Sequence, residues 1–199
     1  MKGILLLNGQ PYAGKIDCTG AYVVCCDGAY AWAKGRVRID ENVGDFDSLS
    51  VPPEPQPRAV YPAEKNFTDG EIGLERLLAC GCREIEIYGG GGGREDHFLG
   101  NLHLLYRLHL AGAKGRMITE SAVIFPASGK TLLNGKRGGT LSVLPFGGDA
   151  HIMQSEGLKY PPDGLTLTYG SCRGISNVFL SGQAWFVCDR GTVLVFLDV

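Results

Sequence analysis

The chain has 199 residues, of which 44% are hydrophobic, 20% charged and 9% aromatic, with a formal net charge of −2. Those proportions suit one large or two small globular domains and exclude a disordered chain or a coiled coil. Nineteen basic residues against twenty-one acidic ones give no footprint for nucleic acid or anionic membrane, and no apolar stretch approaches the ~18–20 residues that span a bilayer.

The opening segment Met1–Asn8 holds only a short apolar run, too short for a secretory signal, so a cytoplasmic protein is expected. Seven scattered cysteines form neither a zinc pair nor a redox CxxC, and are read as reduced and mostly structural. Thirty glycines are about twice the usual share and imply turns and backbone that approaches ligands closely.

In chain order, Ile4–Leu7, Ala21–Cys26, Ile39–Val43, Ala59–Tyr61, Ile85–Tyr88 and Ala122–Phe125 read as strands. Several are too uniformly apolar for a half-exposed sheet. Ala29–Lys34 reads as a short helix. Asp69–Cys80 carries Leu74, Leu77 and Leu78 at helical spacing, and Asp96–Leu110 carries Phe98, Leu99, Leu102, Leu105 and Tyr106. Strands alternating with helices imply βαβ units and a mainly parallel sheet. The proline-rich run Pro52–Pro57 interrupts them as an extended loop. From about Gly129 the helical period vanishes. Thr140–Leu144, Leu165–Thr168, Asn177–Leu180, Ala184–Cys188 and Thr192–Leu197 follow as short strand-like runs, which suggests a small antiparallel sandwich or barrel.

In an open parallel sheet, ligands bind beyond the carboxyl ends of the strands. Four unusual segments follow strand-like runs: Asp27-Gly28, Gly44–Ser48, Lys65–Glu71 and Gly89–His97. The five glycines at Gly89–Gly93 let backbone N–H groups turn inward, and a helix starting near Asp96 aims its positive end there. A bare poly-Gly tract would be a linker; Arg94, a fork of donors suited to phosphate, and Asp96 favour an anion site. Ser128–Thr131 contains a GKT, but Ile124 stands where a Walker A loop needs glycine, so that match fails.

Asp45 and Asp47 alternate with one residue, so in extended backbone both side chains point to one side. Two carboxylates facing a phosphate loop call for a cation, and Mg²⁺ suits hard oxygen ligands. Thr68-Asp69-Gly70-Glu71 fits a capping box, which leaves Lys65 and Asp69 for phosphate and metal. His97 and Asn101 share a helix face, with His97 a candidate phosphate donor. His103, His109 and His151 form no cluster and are read as structural.

These segments resemble the signature series of thiamine pyrophosphokinases, and the likeness continues through Gly157–Pro161 and Arg173–Asn177. The resemblance spans most of the chain. It implies a Rossmann-like, mainly parallel α/β domain over 1–122 that binds ATP and magnesium. A C-terminal antiparallel β-sandwich over 123–199 would bind thiamine. It also implies a homodimer and transfer of pyrophosphate from ATP to the thiamine hydroxyl.

On that likeness Asp45, Asp47, Asp69 and Asp96 hold the metal, with Arg94 completing the catalytic set. Asp27, Gly28, Lys65, Thr68, Gly92, Gly93, Arg94, His97 and Asn101 hold the nucleotide. Asp69 accepts the proton of the hydroxyl, and Tyr160, Ser176 and Asn177 serve thiamine. Asn66 stands where the family usually carries an acid, and Ile39 where proline is common. Two other classes remain open: a pyrophosphoryl transferase with a different acceptor, and a non-catalytic sensor of nucleotide or thiamine diphosphate. A sensor has no need of a full set of metal-binding carboxylates.

Overall fold

The computed structural model describes residues 1–47, 49, 51–56, 60–62 and 66–199. The features expected at Ser48, Ala59 and Lys65 lie outside the described residues. The chain divides into two compact units, Met1–Glu120 and Ser121–Val199. It is a sheet-rich α/β protein with few helices.

In the first unit β1 (Lys2–Leu6), β2 (Ala21–Cys26), β3 (Glu41–Val43), β4 (Glu84–Tyr88) and β5 (Lys114–Ile118) pair in the order β3-β2-β1-β4-β5. Every pairing is parallel. Ile4, Leu5, Leu6, Val23, Val24 and Cys25 are all fully buried, as apolar strands covered on both faces must be. Between strands come a 3-10 turn (Asp27–Ala29), α1 (Tyr30–Ala33), α2 (Asp69–Ala79) and α3 (Glu95–Leu110).

Helix α2 begins at a complete capping box. Thr68 Oγ1 accepts the Glu71 N–H at 3.2 Å, and Glu71 Oε2 accepts the Thr68 N–H at 2.8 Å. It buries Leu74 and Leu77. Helix α3 buries Leu102, Leu104, Leu105 and Leu108, whereas Leu99, expected on the apolar face, is exposed. Arg107 of α3 reaches Glu75 of α2 at 2.7 Å and Glu71 at 3.6 Å, linking the two helices.

Two strand expectations change. In the stretch read as a strand over Ala59–Tyr61, Val60 makes an isolated bridge to Gly44. Strand β5 was not foreseen, because Lys114 and Arg116 interrupt its apolar signal. Those two residues are exposed while Met117 is buried. No described helix is long and apolar enough to cross a membrane.

The second unit contains β6 (Ala122–Asn134), β7 (Thr140–Pro145), β8 (Ala150–Glu156), β9 (Leu165–Leu167), β10 (Asn177–Val178) and β11 (Gln183–Asp198). Its ladders are antiparallel. The two runs Ala184–Cys188 and Thr192–Leu197 belong to one strand, β11, whose register breaks between Cys188 and Val193. Its first half lies between β6 and β8, its second between β6 and β7. That irregularity lets one strand serve two neighbours on the same side. Leu133, Leu141, Val143, Ile152, Leu158, Leu167, Phe179, Phe186 and Val195 form the core. Strand β8 escaped the sequence reading, since Met153, Gln154 and Glu156 blur its alternation.

All seven cysteines are free. Burial pushes the Cys25 thiol up to about 12 and raises Cys26, Cys82 and Cys188, while Cys172 is exposed. Thiolate is the reactive form, so raised values slow alkylation. Iodoacetamide on the native protein, followed by peptide mass mapping, is expected to label Cys172 first. Cys25, Cys26, Cys82 and Cys188 should be labelled only after denaturation.

Candidate active site

The register of the parallel sheet aligns its carboxyl ends. Leu6 is level with Cys25 and Tyr88, Cys26 with Val43, and Tyr88 with Ile118. The chain leaving each strand therefore emerges at one edge: Leu7–Gln10, Asp27-Gly28, Gly44–Asp47 and Gly89–Gly93. A sheet whose connections diverge on either side of β1 opens its crevice between β1 and β4.

That crevice is bridged by backbone. Leu7 N–H donates to Tyr88 O at 2.9 Å, Gly9 N–H to Gly89 O at 2.8 Å, and Gln10 N–H to Gly91 O at 2.7 Å. Gly9 permits this approach, since a Cβ there would lie 2.5 Å from Gly89 O and 2.7 Å from Gly91 O. Asn101 Nδ2 takes the remaining carbonyl, Gly90 O, at 2.8 Å. Asn101 thus anchors the glycine loop from α3.

Gly89, Gly90 and Gly91 are buried by these contacts; Gly92 and Gly93 are exposed with positive φ. The sequence reading made all five glycines one anion-facing loop. The structure divides them into a fixed base and an open tip.

Beside the loop, one oxygen each from Asp27, Asp45 and Asp47 lies within 4.8 Å of the others. Two left-handed residues that are not glycine shape this cluster, Asp27 at φ 42° and Phe46 at φ 57°. Such backbone stores strain of order 1–3 kcal/mol per residue and is concentrated at functional sites. Asp27 Oδ1 accepts the Phe46 N–H at 3.2 Å, and Asp45 Oδ1 accepts the Asp47 N–H at 3.3 Å. Asp45 and Asp47 therefore converge through a turn at Phe46, where extended backbone was expected.

Gly28 is also required by space. A Cβ on it would fall 2.2 Å from Asn8 Nδ2, so the Asn8 carboxamide rests directly on the residue after Asp27. Asn8 had no sequence signal of its own. Only the pairing of β1 with β2 brings it there.

The other expected residues sit around this group. Asp69 opens α2, its carbonyl accepting from Cys26 Sγ at 3.3 Å, and Thr68 is occupied by the cap. Neither Asp69 nor Asp96 belongs to the acidic group among the described residues. Arg94 Nε donates to Asp96 Oδ1 at 3.1 Å and Nη2 to Oδ2 at 2.5 Å, so this pair is satisfied internally. The pairing lowers the Asp96 carboxyl and raises the Arg94 guanidinium. Both side chains are exposed, and such a pair exchanges readily for another partner. His97 is exposed in the first turn of α3. A cavity of about 250 Å³ adjoins Asp45, walled by Phe46, Leu49, Val51, Pro52, Pro53 and Val60.

In the second unit, the segments carrying Tyr160 and Ser176-Asn177 lie side by side. Leu158 bridges Phe179, Lys159 N–H donates to Val178 O at 2.9 Å, and Leu180 N–H to Gly157 O at 2.9 Å. The Tyr160 ring and Ser176 are exposed, and Asn177 is buried. Ser176 adopts a left-handed φ of 61°.

Fold and site together define a chain that joins an acidic, glycine-rich site on a parallel sheet to an antiparallel β unit. Residues 18–117 match the family model described as thiamin pyrophosphokinase, catalytic domain, and residues 130–193 the one described as thiamin pyrophosphokinase, vitamin B1 binding domain. A thiamine pyrophosphokinase of Bacillus subtilis is 32% identical over 163 residues, 78% of this chain and 76% of that protein. The crystal structure of a Bacillus subtilis thiamine pyrophosphokinase superposes with a TM-score of 0.83 at 27% identity, covering 100% of this chain and 98% of the other. A thiamin pyrophosphokinase family protein from Enterococcus faecalis shares the fold, with a TM-score of 0.84 at 23% identity over 100% and 99% of the two chains. The chain belongs to the thiamine pyrophosphokinase family.

Gly9→Ala is expected to destabilise the first unit by about 1–3 kcal/mol, because both atoms it would strike are backbone carbonyls. Asn101→Ala leaves the buried Gly90 carbonyl without its donor and should lower stability by about 1–3 kcal/mol. Urea unfolding of both variants against wild type measures this.

Proposed function

We propose that this chain transfers the pyrophosphoryl group of ATP to the hydroxyl of thiamine, giving thiamine diphosphate and AMP. The observation that carries the reading is the acidic group Asp27, Asp45 and Asp47 at the same sheet edge as an anchored glycine loop, within the stretch that matches the catalytic-domain model. We read the first unit, Met1–Glu120, as a Rossmann-like ATP and magnesium domain, and the second, Ser121–Val199, as a thiamine-binding β-sandwich, two residues short of the 122/123 division expected from the sequence. Free thiols fit a reducing, cytoplasmic setting. The working form in this reading is a homodimer.

Three carboxylates so close together repel unless a cation joins them, and all-oxygen donors match Mg²⁺. Asp27, Asp45 and Asp47 would hold the ion, with Asp69 as the nearby fourth carboxylate. When bound, Mg²⁺ supplies charge neutralisation to the phosphate oxygens. Asp96 is better assigned to holding Arg94 until phosphate replaces it.

Pyrophosphoryl transfer asks a protein chiefly for positioning and for stabilisation of developing charge. Arg94, Lys65, His97 and the exposed amides at Gly92 and Gly93 would bind and orient the phosphates. Gly28 and Thr68 shape the same edge. Asp69 would accept the hydroxyl proton as the thiamine oxygen attacks the β-phosphorus. Tyr160 and Ser176 would meet thiamine in the second unit.

Incubation with ATP, MgCl₂ and thiamine, followed by chromatographic separation, should yield AMP and thiamine diphosphate in equal amounts. ADP as the nucleotide product would overturn the reading. Asp45→Asn and Asp47→Asn are each expected to lower kcat by roughly two to three orders of magnitude with the fold retained. Asp27→Asn should raise the Mg²⁺ concentration for half-maximal turnover, whereas Asp96→Asn should leave that midpoint in place and raise KM for ATP. A Mg²⁺ midpoint that moves with Asp96→Asn and not with Asp27→Asn would reverse the two assignments.

A further inference from the structure

The likeness to the family places Asn177 among residues that serve thiamine, but its carboxamide is already engaged. Asn177 Oδ1 accepts the Tyr160 N–H at 3.1 Å and the Val178 N–H at 2.9 Å. Its Nδ2 donates to the Tyr160 carbonyl at 2.7 Å. An amide oxygen has two lone pairs, and both are taken; one N–H remains. Only 8% of the residue is exposed. Such a group has little left to offer a ligand.

Tyr160 is its complement. Its backbone N–H and carbonyl are both held by Asn177, while the residue is 58% exposed. Pro161 follows, and a residue before proline is restricted to extended backbone. The ammonium of Lys159 stands 5.3 Å from the ring centroid. A backbone so constrained fixes the point and direction from which the exposed ring projects. The opposite side of Asn177 is strained, since Ser176 is left-handed and donates its N–H to Ser142 Oγ at 3.1 Å. Backbone strain persists where surrounding structure over-determines it.

We propose that Asn177 is a positioning residue: it holds both peptide groups of Tyr160 so that the ring presents a stacking surface to the flat heteroaromatic substrate. Stacking on a pre-oriented ring avoids the entropy of ordering it on binding. The inference rests on the proposed thiamine reading and assigns Asn177 an indirect role within it.

The test is a double-mutant cycle of Asn177→Ala and Tyr160→Ala, reading thiamine KM, ATP KM, kcat and thermal stability. Each single variant should raise thiamine KM by about tenfold, a change of about 1.4 kcal/mol, with ATP KM and kcat held. Because Asn177 acts through Tyr160, the double variant should be no worse than Tyr160→Ala alone. Multiplying effects would show that Asn177 meets the substrate independently and would overturn the proposal. Where Asn177→Ala does not fold, Asn177→Asp carries the same cycle, keeping shape and acceptor while losing the donor to Tyr160. A wild-type chain that neither binds nor converts thiamine overturns the proposed function and this inference together. Thiamine turnover by wild type with multiplying effects overturns the inference alone.

Discussion

The parallel pairing of β1 with both β2 and β4 is the constraint on which the first unit depends. It aligns the chain exits at one edge and buries β1 from Gly3 to Leu6. Burial of that strand on both sides is the main stabilising term, at about 25 cal/mol per Å² of apolar surface removed from water. The backbone bonds from Leu7, Gly9 and Gln10 extend the pairing past the strand ends and set the base of the glycine loop. Without this zipper, five successive glycines would have wide conformational freedom. With it, conformational freedom is confined to Gly92 and Gly93, next to Arg94 and the start of α3.

Rigid placement on one side allows strain on the other. Asp27 and Phe46 hold left-handed backbone that neither residue favours, and each is tied to the other by the bond from Phe46 N–H to Asp27 Oδ1. The result is a group of three carboxylates whose oxygens lie within 4.8 Å of one another. Arg94, in the glycine loop, is engaged with Asp96. Crowded carboxylates and left-handed backbone therefore fall in the same place.

The second unit solves a similar problem with side chains. Its long strands β6 and β11 supply the frame, and the break at Cys188–Val193 lets β11 pair with β8 along one half and β7 along the other. The segments at Gly157–Pro161 and Arg173–Leu180 have little regular structure of their own. They are joined by the Leu158–Phe179 bridge, by burial of those two side chains, and by the Asn177 carboxamide. In each unit, irregular backbone is held by an amide side chain: Asn101 on Gly90 O and Asn177 on Tyr160.

Local rules made much of this legible in the sequence. The capping box at Thr68, the apolar runs of β1 and β2, and the glycines before α3 act within a few residues of one another. Their outcome follows from propensity and solvation alone. The acidic and glycine-rich segments could be placed after strands because chain direction decides which end of a strand they follow. What the sequence could not decide were properties of residues far apart in the chain. The turn at Phe46 depends on an acceptor from Asp27, Asn8 meets Gly28 only across paired strands, and β5 is a strand because β4 offers it an edge. The same holds for the amides. The family likeness made Asn101 and Asn177 ligand contacts, and each has a backbone carbonyl within reach once the fold is formed. A buried carbonyl left without a donor is costly, and that demand appears only when tertiary structure removes the water that would otherwise have met it.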